Sequence, residues 1–182
     1  MKVLVMGHPR SGTGYAAKLF QSFGLQVGHE RMEENGISSW FFGLKDTNPP
    51  YDAAPYDASF KPDLTINIVR KPLPTISSVA YTEFMTSLYR QTRLQYGHCN
   101  NQLESMISID RYTDYVREHF DVNHIVKTEH LDAFCLEILK LEQKTILPGK
   151  AINSRPHPLI DERCIADNYI YQKLVEDYNN AW

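Results

Sequence analysis

The amino-acid sequence predicts an α/β fold of three layers, a mainly parallel central sheet flanked by helices. Three features of the chain point there. Val3–Met6 is a short apolar run with the form of a buried strand, Leu64–Val69 reads as another interior strand and His124–Thr128 as the next. Each is followed by a turn and then by apolar residues at helical spacing, the alternation that builds a parallel sheet. With 182 residues, 42% hydrophobic and 23% charged, the chain suits a single domain, 1–182, with a substantial core.

The first strand runs into Gly7-His8-Pro9-Arg10-Ser11-Gly12-Thr13-Gly14. Glycines at both ends permit a tight turn, so that the N–H groups of Ser11 to Gly14 converge on an anion at the positive end of a helix starting near Thr13. Arg10 adds a full charge. The G-x-x-x-x-G frame makes the fold P-loop-like, but Thr13-Gly14 stand where a Lys and a Ser or Thr would grip terminal phosphates and ligate magnesium. Phosphate binding is expected; metal-assisted phosphoryl transfer and a bound metal are not. The helix carries Ala16, Leu19, Phe20 and Phe23 inward and Lys18 outward, and Gly24 closes it.

Leu25–Val27 reads as a second short strand, followed by Gly28-His29-Glu30. Residues just past the carboxyl end of a strand face the ligand crevice of a parallel sheet. Glu30 is therefore a candidate general base and His29 the alternative, against the plainer reading that both simply end a strand. Glu33 to Gly36 is a turn, and Ile37 to Leu44 a short aromatic helix whose Trp40, Phe41 and Phe42 cannot all face inward. From Lys45 to Pro62, four prolines and no periodicity describe a lid, a binding loop or a surface excursion, containing Asp46, Asp52 and Asp57.

Leu64–Val69 is an interior strand, and Arg70-Lys71-Pro72 opens a long helix with Ile76, Ala80, Phe84 and Leu88 on one stripe. Arg70 stands at the strand end and Ser78 two turns into the helix; taken alone, an Arg-x-Pro here reads as a helix-start salt bridge. Asn100-Asn101 marks a loop. Tyr112, Val116 and Phe120 recur along a helix started by Asp110, and Thr128-Glu129 cap another with Leu131, Phe134, Cys135 and Ile138 inward. The polar stretch Lys150 to His157 contains Arg155, and Ile160 to Trp182 supplies terminal helices packed through Tyr171, Leu174 and Tyr178.

Pro9-Arg10-Ser11-Gly12-Thr13-Gly14-Tyr15, together with Arg70-Lys71-Pro72 and Ser78, resembles the sulfotransferases that use 3'-phosphoadenosine 5'-phosphosulfate (PAPS). Their 5'-phosphosulfate loop reads approximately P-[KR]-S-G-T-[TS] followed by an aromatic, and they bind the 3'-phosphate with an Arg at a strand end and a Ser eight residues later. Gly14 departs from that pattern by removing the second hydroxyl. The resemblance implies PAPS as donor and adenosine 3',5'-bisphosphate as product. It implies Arg10, Ser11, Gly12, Thr13, Gly14 and Tyr15 at the 5' end, and Arg70, Ser78 and Arg155 at the 3'-phosphate. Glu30, or His29, would take the proton of a hydroxyl on a small-molecule or carbohydrate acceptor, while Arg10 stabilises the departing charge. The alternatives are a P-loop nucleoside or nucleotide kinase, which the missing Lys-[Ser/Thr] disfavours, and a catalytically degenerate nucleotide-binding protein. A nicotinamide fingerprint at Gly12 to Ala17 fails on context, because five residues separate Met6 from Gly12.

A formal charge of −3 and a pI of about 6.1 give no general attraction to nucleic acid or anionic membranes, so neither is an expected partner. Cys99, Cys135 and Cys164 are an odd, widely spaced set, as expected of free thiols in a reducing compartment. The first strand leaves no space for a leader before it, and the lumenal members of the resembled family carry an N-terminal anchor. A cytoplasmic protein is expected.

Overall fold

The computed structural model describes residues 1–43, 60–81, 101–145, 147 and 157–182. In chain order the elements are β1 (Val3–Met6), α1 (Thr13–Ser22), β2 (Val27–His29), β3 (Gly36–Ser39), β4 (Leu64–Val69), α2 (Pro72–Ala80), α3 (Gln102–His119), β5 (His124–Lys127), α4 (Leu131–Glu137) and α5 (Tyr169–Asn180), with short 3-10 turns at Phe41–Gly43, Thr128–His130 and Glu162–Cys164. The five strands form one sheet in the order β2-β3-β1-β4-β5, and every pairing is parallel. From β1 the chain runs out to β2 on one side, returns through β3, and crosses to β4 on the other. That reversal opens a crevice at the carboxyl ends of β1 and β4, where ligands bind in open α/β sheets.

Strand periodicity sorts the side chains into two layers. Val3, Val5, Ile66 and Ile68 face α1 and α4, meeting Leu19, Phe20, Leu131 and Phe134. Leu4, Met6 and Ile37 face the opposite way, onto Tyr112 and Val116 of α3. Beyond them α2, α3 and α5 close a third cluster through Ile76, Val79, Met106, Ile109, Tyr171 and Leu174. The expected α/β fold with a parallel central sheet flanked by helices is thus the one observed, and β1 and β4 are interior strands.

Several elements differ from the sequence reading. The second strand is Val27–His29 rather than Leu25–Val27, because Leu25 closes α1: its N–H donates to the Phe20 carbonyl while Gly24 N–H donates to Gln21. The segment expected to be a short aromatic helix is helical only at Phe41–Gly43, as a 3-10 turn; its start belongs to strand β3, which lies between β2 and β1, so the strand before His29 and Glu30 is an edge strand separated from β1. Gly36 permits this insertion: its φ is +125°, and a Cβ there would overlap the Val3 carbonyl. Ser38 and Ser39 hid the strand, since two serines break an apolar run; both are buried with their hydroxyls satisfied, Ser38 donating to the Thr13 carbonyl and Ser39 accepting from Phe41 N–H. Trp40, Phe41 and Phe42 are all buried, against the expectation, because the 3-10 turn after β3 tucks the triplet under α3.

The helix expected to start at Asp110 starts at Gln102, where the Asn101 side chain accepts from Glu104 N–H. Ser105 and Ser108, buried on its first turns, masked the apolar stripe. Helix α4 ends at Glu137, which leaves Ile138 45% exposed instead of inward, and its start is not capped by the Thr128 hydroxyl, which is used elsewhere. Of the residues expected along the helix after Arg70, Ile76 is buried and Ala80 half-buried, while Phe84 and Leu88 lie outside the described residues, as do Leu44, Cys99 and residues 45–59 of the proline-rich stretch.

Candidate functional site

Helix α1 begins at the loop's second glycine. Gly12, its N-cap, has no side chain with which to accept from the first-turn amides of Thr13, Gly14 and Tyr15. Its φ of +104° is a left-handed conformation that a side chain would strain, and a Cβ there would lie 2.7 Å from Thr128 Cγ2. Arg10 adopts φ +77°, so the loop turns twice through the left-handed region and forms a concave run of amides of the kind that holds anions.

The loop carbonyls are held from outside. Thr128 Oγ1 donates to the Ser11 carbonyl at 2.6 Å, Ser38 Oγ to the Thr13 carbonyl at 2.8 Å, and Arg70 Nη1 more weakly to the Arg10 carbonyl at 3.4 Å. In a planar trans peptide the C=O of one residue and the N–H of the next point in opposite directions. Drawing the Ser11 and Thr13 carbonyls outward therefore turns the Gly12 and Gly14 N–H groups the other way, into the concave side. Beneath the loop, His8 is 3% exposed; its Nδ1 donates to the Pro9 carbonyl at 2.8 Å, which leaves Nε2 to accept from Ser108 Oγ at 3.1 Å. Burial pushes the imidazole down to about 4, so this histidine is neutral and acts as a brace between loop and α3.

The two sequence motifs meet. Arg10 Nε donates to Ser78 Oγ at 2.9 Å across the mouth of α2, and Arg70 reaches back to the Arg10 carbonyl. Arg10, Arg70 and Ser78 thus form one basic rim beside the cradle. Next to it lies a small cavity of about 30 Å³ lined by His8, Ser11, Arg70, Thr75, Thr113 and Asp177, among others. Tyr15 contributes its backbone; its ring packs against the core cluster of α1 and α4, where burial, and then Asp132, push the phenol up from its ordinary value. Arg155 lies outside the described residues.

On the other side of the loop, β2 delivers His29 and Glu30 to the start of α1. His29 Nε2 is 3.3 Å from Thr13 Oγ1 and 3.4 Å from Glu30 Oε1. Glu30 has φ +57°, and its N–H is bonded to the Ser38 carbonyl. Trp40 Nε1 donates to Glu30 Oε1 at 2.6 Å. The structure therefore gathers Arg10 to Tyr15, Arg70, Ser78, His29 and Glu30 around one loop, even though β2 is not adjacent to β1.

No family model, curated protein or solved structure matches the chain. The reading of the site accordingly rests on its geometry. Among the described residues no group of three or more His, Cys, Asp or Glu is placed to hold a metal ion, and no helix is long and apolar enough to cross a membrane.

Sequence reasoning missed four contributors: Thr128, Ser38, His8 and Trp40. Thr128 follows the carboxyl end of β5, so the positional argument applied to Glu30 would have selected it too. Nothing in the sequence pairs Trp40 with Glu30 or His8 with Ser108, because those contacts depend on where α3 and the 3-10 turn pack.

Proposed function

We propose that this protein is a sulfotransferase that moves a sulfuryl group from PAPS to an acceptor hydroxyl such as that of a carbohydrate or small alcohol. The reading rests on one arrangement: a loop whose amides open a helix N-terminus with no side-chain cap among the described residues, bordered by a basic rim of Arg10 and Arg70 joined through Ser78. The residues fit a nucleotide with phosphates at both ends of its ribose. The cradle takes the 5' group, and Arg70 with Ser78 takes the 3'-phosphate, toward which Arg10 already shares the Ser78 hydroxyl. With Thr13-Gly14 in place of Lys-[Ser/Thr], the loop lacks the groups that grip and activate a terminal phosphoryl group.

PAPS supplies the activated sulfuryl group. Glu30 accepts the proton of the acceptor hydroxyl as its oxygen bonds to sulfur, with His29 as the alternative acceptor. Arg10 and the loop amides hold the charge that leaves with the 5'-phosphate when the bond from sulfur to the bridging oxygen breaks. The products are a sulfate ester, adenosine 3',5'-bisphosphate and a proton returned to solvent from Glu30.

The test is a thermal-shift comparison of adenosine 3',5'-bisphosphate with ATP plus magnesium, followed by transfer assays from PAPS to a panel of hydroxyl acceptors. The bisphosphate at about a hundred times its dissociation constant is expected to stabilise the fold by about 2.7 kcal/mol. Stabilisation by ATP and magnesium but not by the bisphosphate would instead favour the kinase reading.

A further inference from the structure

We infer that Trp40 is a positioning residue that holds the Glu30 carboxylate in its reactive orientation, so that Oε1 serves as the anchor and Oε2 as the proton acceptor. The inference deepens the sulfotransferase reading and rests on it for the identity of the reaction. Trp40 is 3% exposed, yet its indole N–H is spent on Glu30 Oε1 at 2.6 Å. A buried N–H requires a partner, and a charge-assisted one is short and directional. Oε1 also faces His29 Nε2 at 3.4 Å, so it is occupied on two sides, whereas Oε2 has no partner among the described residues.

The backbone of Trp40 is held and its ring is packed in the core. Tyr112 of α3, 1% exposed, donates its hydroxyl to the Trp40 carbonyl at 2.8 Å, and Phe41 and Phe42 pack in the same cluster. The backbone of Glu30 is fixed as well, through its N–H to Ser38, the residue whose hydroxyl draws back the Thr13 carbonyl. Trp40 and Ser38 thus place the carboxylate and the anion loop relative to each other from a single strand and the turn that follows it. A glutamate at a left-handed φ, with one oxygen clamped by a buried indole beside an anion cradle, has the form of a constrained reactive group.

The proton transfer itself forms the O–H bond on Oε2 as the acceptor's O–H breaks; its electron pair goes to the new bond with sulfur. Nothing is oxidised or reduced.

The test combines kinetics with a direct view of the indole. Trp40→Phe, and an isosteric replacement of Trp40 by benzothienylalanine, which keeps the fused rings but has sulfur in place of N–H, should lower kcat by about a hundredfold. Affinity for adenosine 3',5'-bisphosphate should stay unchanged, which also shows that the variants fold. In the Glu30→Gln background, Trp40→Phe should cost nothing further, because Trp40 acts through Glu30. The chain has two tryptophans, so a Trp182→Phe variant assigns the indole N–H resonances. The Trp40 signal should lie downfield and move upfield in Glu30→Gln.

Normal turnover in the benzothienyl protein, or losses that add in the double variant, would overturn the assignment. So would an indole signal indifferent to Glu30→Gln. If the wild-type protein neither binds the bisphosphate nor transfers from PAPS, the sulfotransferase reading is what falls. The indole resonance, read without nucleotide, then still decides whether Trp40 clamps Glu30.

Discussion

Thr128→Val is the sharpest perturbation of the cradle, since valine keeps the branched shape and removes only the hydroxyl that bonds the Ser11 carbonyl at 2.6 Å. Ser11 is 4% exposed, so its carbonyl has little access to replacement water. Leaving a buried acceptor unpaired costs about 1 to 3 kcal/mol. At about 2 to 4 °C per kcal/mol for a domain of this size, Tm should fall by about 2 to 12 °C. The same change frees the peptide between Ser11 and Gly12 to rotate, turning the Gly12 N–H out of the cradle. Loss of one charge-assisted bond, about 1.5 to 3 kcal/mol, would weaken adenosine 3',5'-bisphosphate roughly tenfold to hundredfold by calorimetry. Thr128→Ser separates bonding from packing: it keeps the hydroxyl and deletes Cγ2, the atom 2.7 Å from a Cβ on Gly12. It should bind like wild type. Gly12→Ala should bind poorly, and adding Thr128→Ser should recover only the steric part of that loss, because the strain at φ +104°, about 1 to 2 kcal/mol, remains. Wild-type Tm and affinity in Thr128→Val would refute the claim that outside donors set the direction of the loop amides.

Arg70→Ala and Ser78→Ala should each weaken adenosine 3',5'-bisphosphate by about 1.5 to 3 kcal/mol, roughly tenfold to hundredfold, and the analogue lacking the 3'-phosphate much less; equal losses in titrations of both nucleotides would remove them from 3'-phosphate recognition. Glu30→Gln should cut transfer by about a hundredfold to ten-thousandfold with nucleotide affinity nearly intact, and steady-state kinetics of His29→Ala alongside it decides between the two candidates, since near-normal turnover in Glu30→Gln with a large loss in His29→Ala would make His29 the base. His8 predicts a pH dependence of stability: its folded value of about 4 lies below the ordinary 6.5, so below about pH 6.5 the unfolded chain takes up a proton that the folded chain refuses. Stability should therefore decline as pH falls from 6.5 to 4, by roughly 3 kcal/mol from this group; denaturant titrations of His8→Asn should lack that component, and an identical slope in both proteins would contradict a buried neutral His8.

The sequence by itself determined the strands and the turns that depend on local chemistry. Val3–Met6 is a continuous apolar run and Leu64–Val69 is apolar at four of its six positions, a composition suited to interior strands. The loop from Gly7 to Gly14 declared its bend and its helix start through its glycines, while Arg70 and Ser78 stood out only through their resemblance to the spacing of the sulfotransferases' 3'-phosphate site. Strand β3 was hidden, since Ser38 and Ser39 are tolerated in the interior only because the Thr13 carbonyl and the Phe41 N–H lie within reach of their hydroxyls. Such partners exist only after folding. The same holds for the start of α3, where Ser105 and Ser108 interrupt the apolar stripe, and Ser108 is bonded to His8 a hundred residues away in sequence. Tertiary structure alone decided that Arg10 would meet Ser78, that Thr128 would draw back the Ser11 carbonyl and that Trp40 would hold Glu30. Hydrophobic periodicity states which face of an element is buried, but it carries no information about which polar atom lies opposite. That is set by sheet order and helix packing, and in this protein the order β2-β3-β1-β4-β5 brings an edge strand's glutamate to the anion loop of a central one.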